Sequence, residues 1–258
     1  MNNLKFSIIF FNIFLILFAL FPVDYYFAAR KNPKTLVFNN KIFVIGGDRG
    51  YSGNIKLESD DIWTSNYGDT WEKLTKNFVA PSRIDFSCVV FKSKMWLIGG
   101  YDQKSHKLLN DIWISDDGKN WDRIVKRASF SPRIKANLIV YKDKLWLVGG
   151  SSNDGVPFSD VWSSDNGYEW VKTSENHEIN SIYASPIVIF KDKMYYFSYG
   201  KGIYSTENGS DWEKIDDENK IISDRSFYTV EVFNNSLYVI CGQLKSEDQY
   251  FTALTNEV

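Results

Sequence analysis

Four arginines recur at matching points of the sequence and could together bind an anionic ligand. Arg30, Arg83, Arg133 and Arg225 each lie sixteen residues before a second recurring position, which is the first glycine of a Gly-Gly pair or its equivalent. A guanidinium offers two parallel N–H donors to a carboxylate, so a ring of four would suit carboxylate-bearing ligands. The alternative is that each arginine pairs within its own repeat, with a backbone carbonyl or with an aspartate such as Asp85. A repeated residue more often serves the scaffold.

Further candidate ligand-binding residues lie in three long loops, 48–60, 101–110 and 151–159, whose sequences differ from repeat to repeat. Variable loops on a rigid scaffold commonly carry binding residues, although ordinary solvated loops are the alternative. The candidates are Tyr51, Tyr101, Asp102 and Asp154, and the same loops also carry His106, a single histidine that we expect to be solvent-exposed.

The sequence predicts no catalytic centre, metal site or cofactor. It contains only two histidines, and neither has the spacing of a metal ligand. Asp61, Asp111 and Asp160 each stand two residues before a recurring tryptophan, whereas a catalytic carboxylate is expected once per site. Cys88 and Cys241 fall in different repeats, and we expect buried thiols rather than a disulfide.

Net charge excludes one class of partner. The 258 residues carry 30 basic and 32 acidic side chains, a net charge of −2, which argues against a nucleic-acid partner held by a general positive field. The expected partner is an unidentified protein or carbohydrate.

An apolar segment at the amino terminus predicts export. Residues 6–23 read FSIIFFNIFLILFALFPV and follow Lys5, the layout of a secretory signal peptide, yet the segment is also long enough to span a bilayer. We therefore expect residues 1–23 to form a helix that is either a cleaved signal peptide or a membrane anchor. The remainder is then secreted, periplasmic or anchored outside the cytoplasm, and contacts the membrane only through this segment.

Internal repeats organise the rest of the chain, 24–258, as one domain. Gly-Gly pairs or weaker equivalents at 46, 99, 149, 198 and 241 recur at spacings of 53, 50, 49 and 43 residues. Trp63, Trp113, Trp162 and Tyr204 each precede a second tryptophan by eight residues. The repeats span about 30–77, 83–127, 133–174, 182–216 and 225–258. The residues assigned to structural repeat positions are Gly46, Gly47, Gly99, Gly100, Gly149, Gly150, Trp63, Trp71, Trp113, Trp121, Trp162, Trp170 and Trp212.

Each repeat predicts four β-strands. An apolar run, a short turn and a second run ending in Gly-Gly predict a hairpin, and a loop then leads to two more strands around a glycine turn. Four strands at a period near 50 residues are typical of β-propeller blades, with large aromatic side chains packed between neighbours. The prediction is an all-β propeller of four to five four-stranded blades that form either a complete or an incomplete ring. Its ring would close by pairing residues 24–29 with the segment Tyr250–Leu254.

The repeated residues resemble the kelch family, and in particular the central domain of galactose oxidase. The resemblance is full in three copies, degenerate in the fourth and partial in the fifth. The glycine turns also resemble the Asp-box of sialidase-type propellers, Ser-x-Asp-x-Gly-x-x-Trp, with Ser163, Asp165, Gly167 and Trp170 as the complete copy. Ser205 and Glu207 begin a close copy, and Ile114 replaces the serine in a weaker one.

The variable loops, the resemblance and the fading of the last repeats leave three functions open. The first is a non-catalytic binding module for a protein or glycan, acting through the face that carries the long loops. The second is a sugar-active enzyme, such as an exported kelch-type sialic acid epimerase. The third is a truncated, degenerate propeller without activity.

Overall fold

A computed structural model describes residues 29–52, 55–56, 61–75, 83–175, 179, 185–198, 201–215, 225–226, 228–240 and 243–244. These residues form β-strands and connecting turns, with no α-helix among them. Within the same ranges, no helix has both the length and the apolar character that a bilayer span requires. The expected leader helix, 1–23, and both segments of the expected ring closure, apart from residue 29, lie outside the described residues.

The strands follow the repeats. The first repeat contains β1 (Lys34–Phe38), β2 (Lys41–Ile45), β3 (Tyr51–Ser52), β4 (Ile55–Lys56), β5 (Ile62–Ser65) and β6 (Glu72–Thr75). The second contains β7 (Arg83–Ile84), β8 (Ser87–Phe91), β9 (Lys94–Asp102), β10 (Lys107–Ser115) and β11 (Asp122–Val125). The third contains β12 (Asn137–Tyr141), β13 (Lys144–Val148), β14 (Asp160–Ser164) and β15 (Val171–Glu175). The fourth contains β16 (Ile187–Phe190), β17 (Lys193–Ser198), β18 (Gly202–Thr206) and β19 (Glu213–Ile215). The fifth contains β20 (Arg225–Ser226), β21 (Thr229–Phe233), β22 (Ser236–Ile240) and β23 (Gln243–Leu244).

Repeats one to four each form an antiparallel blade with the predicted four-stranded meander. The orders are β1-β2-β5-β6, β8-β9-β10-β11, β12-β13-β14-β15 and β16-β17-β18-β19, and β7 adds a short fifth strand beside β9. In the fifth repeat, β21 pairs with β22 and β20 pairs with β23. The architecture is therefore a four-blade propeller arrangement followed by the hairpin of a fifth unit.

The blades stand side by side around an axis lined by their first strands. β1 contacts β8, β8 contacts β12, β12 contacts β16, and β16 contacts β21. Since the meander places the first strand at one edge of every blade, these contacts identify that edge as the inner one. The upper face carries the arginine positions and the loops between second and third strands. The lower face carries the hairpin turns and the glycine turns.

Hydrophobic cores lie between the blades, as the repeated aromatic residues predicted. Phe38 and Phe43 of blade 1 pack with Trp113 and Trp121 of blade 2. Trp96 of blade 2 packs with Leu145, Leu147 and Trp170 of blade 3. Further cores lie between blades 3 and 4 and between blade 4 and the fifth hairpin. Blades 2, 3 and 4 each bury both faces against a neighbouring unit on either side, which a single sheet cannot do alone.

Two-residue turns join the first and second strand in all five repeats. Both turn residues have positive φ, as in Lys92-Ser93 (47° and 57°) and Asn234-Asn235 (45° and 58°). This is the type I′ geometry whose twist matches that of a hairpin. The second glycine of each Gly-Gly pair allows another segment of backbone to approach closely. A Cβ at Gly100 would lie 2.8 Å from the carbonyl oxygen of Ile84.

The glycine turns have the hydrogen bonds of an Asp-box, but in a different frame from the one that the sequence pattern predicted. Ser164, rather than Ser163, accepts the amide of Gly167 at 2.7 Å. Asn166, rather than Asp165, accepts the amides of Tyr168 and Glu169. The same correction applies elsewhere: Ser115 closes the turn in which Ile114 was expected to replace the serine, and Thr206 with Asn208 replaces the expected Ser205 with Glu207.

Candidate functional site

The three arginines at the upper ends of blades 1 to 3 each hold an aspartate of the same blade. Arg30 pairs with Asp61 at 2.6 Å, Arg83 with Asp111 at 2.7 Å and Arg133 with Asp160 at 2.6 Å. In each pair a second guanidinium nitrogen reaches the second carboxylate oxygen. The partner is therefore the aspartate two residues before the recurring tryptophan, and not Asp85, which accepts a hydrogen bond from the side-chain amide of Asn32.

A backbone carbonyl and a tryptophan indole also hydrogen-bond to each Arg–Asp pair. The guanidinium of Arg83 also donates to the carbonyl of Gly99 at 2.9 Å, and the indole of Trp113 donates to Asp111 at 2.8 Å. Blades 1 and 3 repeat this arrangement, which we call the Arg–Asp–Trp network. The three arginine side chains are at most 1% exposed. The network ties the loop before the first strand to the second and third strands of its own blade.

Electrostatics inside the network follow from these contacts. Burial alone would raise the pKa of Asp160, but the hydrogen bond and charge of Arg133 outweigh burial and hold the pKa below its usual value. Asp61 has a lowered pKa for the same balance of reasons, with Arg30 as the main stabilising partner. Both carboxylates are therefore ionised at neutral pH.

The predicted anion-binding ring is thus described at three of its four arginines. Arg225 lies in β20, but only its backbone is described. In the described blades the guanidiniums donate to groups of their own repeat, the alternative that the sequence left open. Ligand binding by Arg30, Arg83, Arg133 and Arg225 stays a prediction.

The variable loop on the upper face of blade 2 is an extended hairpin. β9 and β10 continue their pairing past the Gly-Gly pair, so that Asp102 pairs with Lys107 near the tip. The Asp102 carboxylate accepts the amides of Lys104 and Ser105 and the Ser105 hydroxyl, at 2.9, 3.3 and 2.6 Å. Burial opposes ionisation of Asp102, yet these hydrogen bonds lower its pKa. Asp102 therefore fixes the tip of the hairpin.

Two aromatic side chains meet on this hairpin. The hydroxyl of Tyr101 lies 3.1 Å from Nδ1 of His106, and the His106 side chain is exposed. His106 adopts a positive φ of 55°, which turns the chain at the tip. We call Tyr101 and His106 on this hairpin the blade-2 tip. Tyr101 was a sequence candidate and His106 was expected to be a solvent-exposed loop residue, but nothing in their spacing predicted that they would contact each other.

The other loop candidates lie apart in the fold. Asp154 is exposed in a turn of blade 3 that is closed by a hydrogen bond from Gly155 N to Ser152 O. Tyr51 lies in β3 of blade 1, where only its backbone is described. The structure thus brings Tyr101, Asp102 and His106 together on one hairpin and places the remaining candidates on other blades.

Some upper-face contacts between blades escaped the sequence analysis, which had named Asp85 only as a possible partner of an arginine. Asn32, Asp85 and Lys135 each follow a recurring arginine by two residues and have φ between 49° and 57°. The amide of Lys135 donates to the carbonyl of Asp85, so these residues link blade 3 to blade 2. Their spacing from the arginines was the signal that could have found them. Phe158 stacks on Arg133, with 4.4 Å between guanidinium carbon and ring centre.

Neither a metal site nor a reactive thiol emerges from the described residues. Among them no three His, Cys, Asp or Glu side chains cluster as metal ligands. Burial raises the pKa of Cys88 to about 12, which keeps it a thiol at physiological pH. A cavity of about 280 Å³ lies on the lower face at the glycine turn of blade 4, lined in part by Lys193, Glu207 and Asp211.

Comparisons with known proteins agree with this architecture. The fold and the repeated network define a kelch-type β-propeller. A family model described as the KLHDC2/KLHL20/DRC7 Kelch-repeats domain matches residues 27–202, and the chain belongs to this kelch-repeat family. A solved structure titled "Structure of YjhT" has a TM-score of 0.70 at 16% sequence identity, covering 87% of this chain and 80% of that one. At this identity the similarity shows the fold alone. No curated protein matched the sequence.

Proposed function

We propose that the chain is a non-catalytic binding module that holds a protein or glycan ligand on its upper face. The observation that carries this proposal is the blade-2 tip, where an extended hairpin presents Tyr101 and His106 side by side. Residues 1–23 belong to the same proposal as a signal peptide or membrane anchor, which would place the propeller outside the cytoplasm.

Preorganisation supports a binding role for the tip. Binding costs free energy whenever a loop must be ordered, and a hairpin already held by its own hydrogen bonds avoids much of that cost. Asp102 supplies this order through its bonds to Lys104 and Ser105. A tyrosine offers an apolar ring together with a polar hydroxyl, which suits both sugar rings and protein surfaces.

The chemistry of the repeat positions directs attention to the variable loops. The guanidiniums of Arg30, Arg83 and Arg133 already donate to buried groups of their own blades. A ligand contact that distinguishes one partner from another is better supplied by residues that occur once, such as those of the blade-2 tip.

A sugar-active enzyme is the alternative, and one observation favours it. Tyr101 and His106 form a hydrogen-bonded pair, and either side chain is of a type that can transfer a proton to or from a ligand. A propeller without any activity would show neither binding nor conversion.

The test is a glycan array, together with a displayed peptide library, probed with the full chain in mild detergent. We expect a ligand that the wild type binds and that Tyr101→Ala and His106→Ala bind at least about tenfold more weakly, a loss of about 1.4 kcal/mol. Tyr168→Ala is the matched control, since Tyr168 is a half-exposed tyrosine on the glycine turn of the opposite face. Equal losses in all three variants would remove the blade-2 tip from the proposal. Chemical conversion of a bound glycan that His106→Ala abolishes would favour the enzyme instead.

A further inference from the structure

The described interfaces between neighbouring blades share one contact. An aromatic residue on the second strand of a blade lies directly beneath the glycine turn of the next blade. Gly118 covers Phe43, Gly167 covers Trp96 and Gly209 covers Trp146, each so closely that a Cβ on the glycine would overlap the ring. At these interfaces the aromatic residue that ends the first strand is buried as well. Phe38 is 6% exposed, and Phe91 and Tyr141 are each 3% exposed.

The outward face of the fifth hairpin carries one half of this contact. Val230, Leu237 and Val239 pack on blade 4, so alternate residues point the other way. Phe233 and Tyr238 lie on that outward side with their ring centres 6.2 Å apart, as Phe91 and Trp96 do in blade 2 at 5.9 Å. Yet Phe233 is 63% exposed. No described glycine turn covers this aromatic pair.

The outward face of blade 1 carries the other half. Leu36 and Phe38 pack towards blade 2, so Val37 points away from it and is 71% exposed. Val90 and Val140 occupy the position of Val37 in blades 2 and 3 and lie in cores with the preceding blade. Gly68 occupies the glycine turn of blade 1. Among the described residues, no aromatic ring lies within 4 Å of a Cβ added at Gly68.

We propose that these two faces bind each other between two copies of the chain, head to tail. The Phe233 and Tyr238 face of one copy would receive the Val37 and Gly68 face of the second, with the same aromatic-under-glycine contact that joins the blades within one copy. A second copy is the occupant because the two faces carry the two halves of one contact, and because Val37 and Phe233 are both exposed although they belong to the same chain. Pairing of unlike faces is heterologous, so copies add until a ring closes or a face is blocked.

The proposed interface is weaker than the interfaces inside the chain. Glu231 is exposed on the fifth hairpin at the position that Leu36, Val89 and Ile139 fill with apolar side chains in the first three blades. A charged residue at this point reduces the apolar area that can be buried. The association is therefore reversible and rises with protein concentration.

Sedimentation velocity of the full chain in mild detergent tests the proposal. We expect the wild type to associate as its concentration rises, and Val37→Asp and Phe233→Asp each to remain monomeric. A mixture of these two variants should form a dimer and nothing larger, because each variant keeps one intact face. Val171→Asp is the matched control, since Val171 is 65% exposed on the outer strand of blade 3 and away from both faces.

Three results would overturn the proposal. The first is a wild type that stays monomeric at its highest soluble concentration. The second is association of the single variants to the same extent as the wild type, which would assign the association to the apolar segment 6–23. The third is a mixture of the two variants that stays monomeric. Closure of the chain on itself would appear as a monomer in every sample, with loss of thermal stability in the two variants. Circular dichroism of each variant confirms that the blades are folded before the comparison is made.

Discussion

Arg83 and Asp111 form a two-point ion pair inside blade 2, with Nη1 to Oδ1 at 2.7 Å and Nη2 to Oδ2 at 3.1 Å. The Arg83 side chain is 0% exposed and the Asp111 side chain 5% exposed. A buried pair of this kind adds little net stability over an apolar substitute, but loss of one partner strands the other charge. The pair thus makes blade 2 intolerant of change at either position.

Replacement of Asp111 by alanine should therefore lower the free energy of unfolding by about 3–5 kcal/mol, since Arg83 would remain buried without its counter-charge. Urea unfolding followed by tryptophan fluorescence measures this loss. Asp122→Ala is the control, because Asp122 is an exposed aspartate on the outer strand of the same blade. If the two variants lose equal stability, the buried pair does not have the assigned role.

Acid should destabilise the propeller through the same network. The pKa of Asp160 is lower in the folded chain than in the unfolded chain, where it is about 3.9. A lowered carboxyl pKa adds stability that is complete above the unfolded value and is lost as the pH falls through the folded value.

Urea midpoints measured between pH 7 and pH 3 should hold steady down to about pH 5 and then fall. Asp160→Asn should start less stable and show a shallower fall, because it lacks this ionisable group. A variant whose midpoint falls as steeply as that of the wild type would show that other carboxylates control the acid response.

The hairpin turn of blade 2 offers a stabilising change. Ser93 adopts a φ of 57° at the second position of a type I′ turn, where glycine is favoured. Ser93→Gly should raise stability by up to about 1 kcal/mol, since a non-glycine residue in this region costs about 1–2 kcal/mol and the added freedom of the unfolded chain offsets part of the gain. Thermal unfolding checks the change, and Ser93→Ala, which keeps the Cβ, should bring no gain.

The blades could be predicted from the sequence because their determinants repeat. Strand order, the inter-blade position of the tryptophans and the turns all depend on residues at fixed offsets, such as Trp113 and Trp121. What could not be predicted depends on distances between strands. Arg83 and Asp111 are 28 residues apart, and only the register of the blade shows that they meet. The hydrogen-bonding serine of the glycine turn was predicted wrongly because the family spacing indicated Ser163, whereas the amide of Gly167 donates to Ser164.

The candidate site was harder to predict, since its loops do not repeat. Tyr101, Asp102 and His106 could be named as loop residues, but the bond between Tyr101 and His106 depends on the extended pairing of β9 with β10. Nothing in one copy of a loop sequence shows how far its strands continue. The arginines illustrate a different case: their recurrence predicted a shared ring, the guanidiniums of Arg30, Arg83 and Arg133 pair within their own blades, and ligand binding by the ring stays a prediction.

Gly167 provides the sharpest test of how the blades are held together. A Cβ at this position would overlap the six-membered ring of Trp96 in the preceding blade, and the residue also has a φ of 79°.

Gly155 separates these two effects, because it has a φ of 76° with nothing within 4 Å of an added Cβ. Gly155→Ala should then cost only the backbone strain, about 1–2 kcal/mol. Gly167→Ala should cost about 1–3 kcal/mol more, since the overlap forces the two blades apart. Urea unfolding of both variants gives the difference directly. Equal losses would mean that the Trp96 ring moves aside without cost and that the glycine turn does not set the spacing between blades.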